Sequence, residues 1–285
     1  MEKKRTSLVA WGALLIGMLY MGIPLVATLI FSVSSKLHSV TAPTPISFSA
    51  YATIFNDPKF GAGLWFSLGA GLLTILISTV LLVPLIYWVQ LRMPYLRSVI
   101  EFMTLLPIVI PAIVLVFGLL GQYRGTFLTN SDSGLYVLLT GSYVIIAFPY
   151  TYRPINTAFQ AINVKVLTEA AQSLGSGWFT IIVRVILPNV WTGVLNAAFI
   201  TLAIALGEFT ISNALAQNTF SMYLFYMETK IYEPVAFTVV AFILTWFFIV
   251  VLQQVTKRPA QRATRERSAQ LIGGAIGLPS ASESE

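Results

Sequence analysis

Apolar residues in this chain come in long blocks, not in the spaced stripes of a water-soluble fold. Six stretches carry no charged side chain: residues 8–31, 62–91, 102–121, 135–152, 190–207 and 235–256. A hydrocarbon core about 30 Å thick is crossed by about 20 apolar residues in a helix. Each block is therefore expected to span a bilayer. In lipid every backbone N–H and C=O must find its partner within the protein, so helix follows from hydropathy. Prolines inside the blocks do not defeat this, because neighbouring groups can take up the freed carbonyls. The chain reads as an all-α integral membrane protein with six transmembrane helices. Its expected organisation is a tail over 1–7, a transmembrane domain over 8–256 and a polar tail over 257–285.

Composition agrees with the pattern. Of 285 residues 56% are apolar and 10% charged, against about 25% charged in a soluble domain. A soluble fold of this size has too little interior to hide that much apolar surface. The chain has no cysteine and one histidine, His38. Disulfides, thiolate metal sites and histidine clusters are thereby excluded. No arrangement of residues suited to catalysis is present, so the chain is not expected to be an enzyme.

The net charge of +6 could suggest nucleic acid, but the placement of the charges decides otherwise. Six spans put both termini on one side. With that side cytoplasmic, every lysine and arginine except Lys36, Lys59, Arg124 and Lys230 lies inside. The excess of basic residues obeys the positive-inside rule. The charge is topological, and no nucleic-acid partner is expected. The expected location is the cell (plasma or inner) membrane, multi-pass, with both termini cytoplasmic. Lys3, Lys4 and Arg5 before an apolar run resemble a signal peptide, but the run is long for one and lacks a small-residue cleavage site. It reads as a retained first helix. The tail beyond Lys257 is polar and is expected to be disordered.

The segment between the fourth and fifth spans, about 153–189, is long for a connector. It reads as two short helices around a glycine. Phe159, Ile162, Val166 and Ala170 would give the first an apolar face, ending at Leu174 with Gly175 as the stop. Trp178, Ile181, Ile182 and Val185 would give the second one. Such faces need cover, which suggests a partner protein. The residues are Glu169-Ala170-Ala171, three residues, Gly175, nine residues, then Val185-Ile186-Leu187-Pro188. This spacing resembles the Glu-Ala-Ala loop of binding-protein-dependent ABC importer permeases of type I. Val185 stands where that family has isoleucine. The segment 48–55 and the run 74–92, with Pro84, Tyr87 and Arg92, also resemble the family, although Leu82 replaces a frequent glycine.

The resemblance implies that the loop couples to a nucleotide-binding subunit. Ala170 and Ala171 would leave a flat helix surface, Glu169 would offer a carboxylate, and Gly175 would permit the turn, with Leu187 and Pro188 closing the motif. The chain contains no phosphate-binding Gly-x-x-x-x-Gly-Lys motif. ATP and Mg are therefore expected on a partner ATPase, with no cofactor on this chain. The other implied partners are a second permease subunit, identical or homologous, an extracytoplasmic substrate-binding protein, and the lipid bilayer.

For the translocation path, Pro107 and Pro111 remove two backbone donors from the third span and should kink it. Broken membrane helices often line water-filled paths. Glu208, at the end of the fifth span, places a carboxylate where it could face the path. Residues 218–232 are aromatic and amphipathic and are expected along the outer surface. The third-span prolines and Gly207-Glu208-Phe209 resemble the spermidine/putrescine branch, whose relatives handle iron, thiamine or aminoalkylphosphonate. A polyamine is the expected solute. The alternative of another class is a self-contained secondary transporter or channel. It would call for internal repeats and ionisable groups at membrane depth, where only Glu101 and Glu208 stand.

Overall fold

The computed structural model describes residues 2–34, 46–227 and 233–254 other than 249, 252 and 253; for 2–9 the backbone alone is described. His38, Lys230 and the tail beyond Lys257 lie outside the described residues.

Apart from one isolated antiparallel bridge, Ser34 to Ile46, the regular structure is helical. α1 (Glu2–Ser32) is followed by α2 (Ser49–Asn56) and the 35-residue α3 (Pro58–Arg92). At 1.5 Å per residue α3 extends about 50 Å, longer than a bilayer core. A 3-10 turn (Pro94–Leu96) leads to α4 (Arg97–Val109) and α5 (Ala112–Gln122). After the short α6 (Phe127–Asn130) comes α7 (Asp132–Gln160), then α8 (Val164–Ser173). α9 (Trp178–Thr180), a π-helical stretch (Ile181–Ile186) and α10 (Leu187–Asn189) run on as one helix. α11 (Trp191–Gly207), α12 (Thr210–Ala214), α13 (Phe220–Tyr226) and α14 (Glu233–Phe248) complete the described chain.

Among the described residues, three uninterrupted helices are long and apolar enough to cross a membrane: α1, α3 and α7. Two more crossings are possible if each of two bent pairs makes one span, and α14 is apolar but shorter. The third block, expected as one helix, turns by 94° between α4 and α5. Ile110 is extended there (φ −85°, ψ 117°), as the residue before Pro111 must be to avoid the proline ring. α5 then starts from the Pro111 carbonyl, which accepts the amides of Val114 and Leu115.

The helices sort into two compact units. One is drawn from Met1–Ala70, Val116–Leu139 and Ala205–Thr245. Its aromatic core centres on Phe60, whose ring meets those of Tyr223 at 5.7 Å and Phe220 at 6.0 Å. The Ser67 hydroxyl accepts the Phe220 amide at 2.8 Å, and Tyr223 donates to Asp57 at 3.1 Å. These contacts fix α13 on the start of α3. The segment expected as a surface helix over 218–232 is thus anchored inward over 220–223 and only partly described.

The other unit is drawn from Gly71–Leu115, Thr140–Ile204 and Trp246–Glu285. Its core takes Leu82, Val83, Ile86 and Tyr87 from α3, and Tyr152, Ile155 and Phe159 from α7. The π stretch adds Ile181, Ile182 and Ile186, and Val190, Val194 and Ala197 complete it. The last three recur at i, i+4 and i+7, one face of a helix. α7 and α11 approach closely because Gly193 has no side chain. A Cβ there would lie 2.5 Å from the Ala158 Cβ and 2.6 Å from the Pro154 carbonyl oxygen.

Gly193→Ala is expected to push α7 from α11 and cost about 1–3 kcal/mol, as overpacking does. Gly17→Ala, where a Cβ meets nothing within 4 Å, serves as the control. Thermal unfolding in detergent should show a lower Tm for the first variant and none of that loss in the second.

Candidate functional site

The loop that carries the Glu-Ala-Ala motif begins where α7 ends. Phe159 belongs to the last turn of α7, not to a separate hairpin helix. The link over 161–163 interrupts the helix and resets its phase. Asn163 then opens α8, its side-chain oxygen accepting the Val166 amide at 3.2 Å. The buried face of α8 is Val164, Thr168 and Ala171. Val166 is 55% exposed and Ala170 is also exposed. The apolar face expected from Phe159, Ile162, Val166 and Ala170 therefore does not form. Counting helical spacing across a break picked residues from two helices of different phase.

The two alanines of the motif divide their work. Ala171 packs into the core and Ala170 faces out beside Glu169. Glu169 Oε1 lies 3.9 Å from Lys165 Nζ, one turn back, with both side chains mostly exposed. Such a pair is worth about 0–1 kcal/mol, so a stronger cation could displace Lys165. Gly175 stops α8 at φ +77°. Its amide donates to the Gln172 carbonyl at 2.9 Å, and the Ser176 amide donates to Ala171 at 3.0 Å. This is the Schellman pattern, in which glycine supplies the left-handed residue.

Beyond the turn, Ile181, Ile182 and Ile186 point into the core. Leu174, Trp178 and Phe179 do not: they are 86%, 57% and 66% exposed. Outside lipid, large apolar side chains grouped at a turn mark a surface that another protein covers. The Leu187 amide bonds five residues back, to Ile182, within the π stretch. Pro188 has no amide to continue the ladder. The next residue, Asn189, adds a side-chain donor, its nitrogen meeting the Val185 carbonyl at 2.7 Å. The chain then bends by 77° into α11. Leu187 is half-buried against the core and Pro188 is exposed.

The remaining candidate residues stand apart from the loop. Pro107 lies inside α4 and Pro111 at the bend before α5. Glu208 belongs to the other compact unit. Its carboxylate accepts the amides of Ile211 at 2.8 Å and Ser212 at 3.4 Å, holding the start of α12. Its carbonyl accepts the hydroxyls of Ser212 and Ser221. Among the described residues no group of three or more His, Cys, Asp or Glu side chains is placed to hold a metal. Sequence reasoning missed the π stretch and the contact of Thr168 with Tyr87. Pro188 after a run of β-branched residues hinted at the first; nothing local signals the second.

The fold and this loop define an inner-membrane component of a transport system. Residues 83–262 match the family described as "Binding-protein-dependent transport system inner membrane component", and the chain belongs to that family. A probable molybdenum ABC transporter permease protein of Haloferax volcanii is 35% identical over 158 residues, 53% of this chain and 57% of that protein. The spermidine/putrescine transport system permease protein PotB of Haemophilus influenzae is 26% identical over 184 residues, 60% of this chain and 64% of that protein. The chain thus matches less than two thirds of the length of either relative. A crystal structure of a bacterial ABC transporter involved in the import of the acidic polysaccharide alginate shares the fold. Its TM-score is 0.65 at 16% identity, over 90% of this chain and 97% of that one.

Gly175→Ala should strain the stop of α8 by about 1–2 kcal/mol, the cost of a left-handed alanine, and Gly175→Asn by less. Hydrogen exchange at the Gly175 and Ser176 amides reads this as faster exchange in the alanine variant. Glu208→Ala should free the amides of Ile211 and Ser212 and cost about 1 kcal/mol, as lost helix caps do. Thermal unfolding measures that loss, and a Tm equal to that of the unmodified protein would remove the capping role.

Proposed function

We propose that this chain is the permease subunit of an ATP-binding-cassette importer. In this reading the loop over 153–189 is cytoplasmic and docks on a separate ATPase subunit that binds ATP and Mg. A second permease subunit and an extracytoplasmic binding protein complete the assembly. The chain itself breaks no bond; it forms the path and transmits movement. The observation that carries the reading is the loop's division into a buried and a bare face. Val164, Thr168 and Ala171 anchor α8, while Glu169, Ala170, Leu174, Trp178 and Phe179 stand exposed at its turn. Membership of the family supports it.

Pro107, Pro111 and Glu208 are proposed to border the path, the prolines by breaking a helix where water can enter. For the solute, the residues around Glu208 led to a polyamine, in keeping with the spermidine/putrescine relative. Two observations favour a second reading, a molybdenum oxyanion. The molybdenum relative is the more similar of the two, and the Glu208 carboxylate is engaged by its own backbone. Calorimetry of the cognate binding protein with spermidine and with molybdate separates the two.

Glu169→Lys and Trp178→Ser, made singly in the full chain, are expected to reduce the ATPase subunit recovered with it at least tenfold. Membrane insertion should be unchanged. Full recovery of a coupled ATPase with both variants would sink the docking assignment and reopen the secondary-transporter reading.

A further inference from the structure

Thr168 stands at the centre of the buried stripe of α8 and is 2% exposed. Its hydroxyl donates to the phenolic oxygen of Tyr87 at 3.3 Å, across 81 residues of sequence. Tyr87 lies toward the end of α3 and is 1% exposed. Two other buried threonines, both inside long helices, behave differently. Thr151 and Thr201 donate to the carbonyls four residues back, of Ala147 and Ala197. That bond is the easy choice for a threonine in a helix. Thr168 has the Val164 carbonyl in the same position, yet it bonds to a different helix.

The choice matters because of what else holds α8 to α3. Tyr87 and Ile86 of α3 and Val164 and Ala171 of α8 also belong to the shared apolar core. Apolar contact is non-directional and lets surfaces slide. A hydrogen bond weakens steeply off its axis and so fixes a point. One turn further along α3, Gln90 donates to Asn156 of α7 at 3.3 Å. The end of α3 is thus tied separately to the helix that enters the loop and to the loop helix itself.

We infer that Tyr87 and Thr168 are positioning residues that pass movement of the loop to α3. This rests on the coupling reading above and goes beyond it by naming the receiving helix and the contact. The covalent links carry the loop's movement to α7 and α11. α3 has no such link, so it follows through its contacts: the Gln90–Asn156 bond to α7 and the Tyr87–Thr168 bond to the loop helix itself. With the hydroxyl pair intact, α8 and the end of α3 move as one body. Without it, α8 slides over α3, and ATP is hydrolysed without driving the change of access.

The test uses the full chain with its ATPase subunit and the binding protein as isolated from cells. Tyr87→Phe keeps the ring and removes the oxygen. Thr168→Val keeps the shape and removes the hydroxyl. Tyr87→Phe leaves no orphan, since Thr168 can turn to Val164; Thr168→Val deprives the buried Tyr87 hydroxyl of that partner, and the double variant removes the hydroxyl as well. Three quantities are read: Tm, ATPase bound per chain, and the ratio of ATP hydrolysis with and without the binding protein. The first two are expected to match the unmodified protein in Tyr87→Phe and in the double variant. The ratio should fall severalfold in each single variant, and no further in the double, because both remove the same bond. An unchanged ratio, or losses that multiply in the double variant, overturns the inference. So does a fall in Tm and bound ATPase in step with activity, which is what a merely structural pair would give. An unmodified chain that binds no ATPase overturns the coupling reading itself; normal binding with an unchanged ratio overturns only the role of Tyr87 and Thr168.

Discussion

Lipid offers no hydrogen bond, so every interruption of a membrane helix has to be repaired from the chain itself. The irregular places of this protein are organised by that constraint. At the bend after Pro188 the Asn189 side chain takes the Val185 carbonyl. At the end of α11 the Glu208 carboxylate takes two amides of α12, and its carbonyl takes two serine hydroxyls. At the start of α13 Thr219 accepts the Met222 amide, and Ser67 accepts that of Phe220. Four hydroxyls inside helices follow the same logic, with Thr28, Thr151, Thr201 and Thr245 each returning to a carbonyl four residues back. A short polar side chain beside each break lets the backbone turn at an acceptable cost.

The loop between α7 and α11 meets a different demand. It is fixed to its own helices on one face and exposed on the other, as the proposed docking role needs. Its sequence achieves both by phase. Ala171, Ile181, Ile182 and Ile186 fall on the inner side, and Glu169, Leu174, Trp178 and Phe179 on the outer. The Schellman turn at Gly175 sets that phase, because it decides the direction in which the second helix leaves. A change at Gly175 therefore acts on both faces at once, while a change at Glu169 or Trp178 acts on one. The π stretch keeps the isoleucines inward while Pro188 removes a backbone donor. It is a local underwinding of the kind that recurs at functional positions.

Glu208 shows how an ionisable residue near a membrane can serve two ends. Ionisable residues there are costly and tend to mark a path, and its position at the end of α11 suits that expectation. Its bonds to Ile211 and Ser212 show that it also holds the backbone. A carboxylate with lone pairs committed to amides is a weaker attractant for a polycation than a free one. This weighs against a polycation and leaves the proposed place of Glu208 beside a path untouched.

The sequence by itself determined the membrane class, since charge-free blocks of this length have no stable home in water. It also pointed to a break in the third block, which falls at Pro111 while Pro24, Pro84, Pro107, Pro149 and Pro154 sit inside continuous helices, and it gave the motif spacing that placed Glu169, Gly175 and Pro188 in one loop. It did not determine which side of each helix faces inward. Periodicity gives a phase only within an unbroken helix, and the link over 161–163 breaks it, so Phe159 and Val166 part company. Nor did it show Thr168 meeting Tyr87 or Gly193 meeting Pro154. Those pairs lie far apart along the chain, and only the packing of α3, α7, α8 and α11 brings them within reach. Local chemistry was legible residue by residue; the contacts between helices were decided by how whole surfaces fit together.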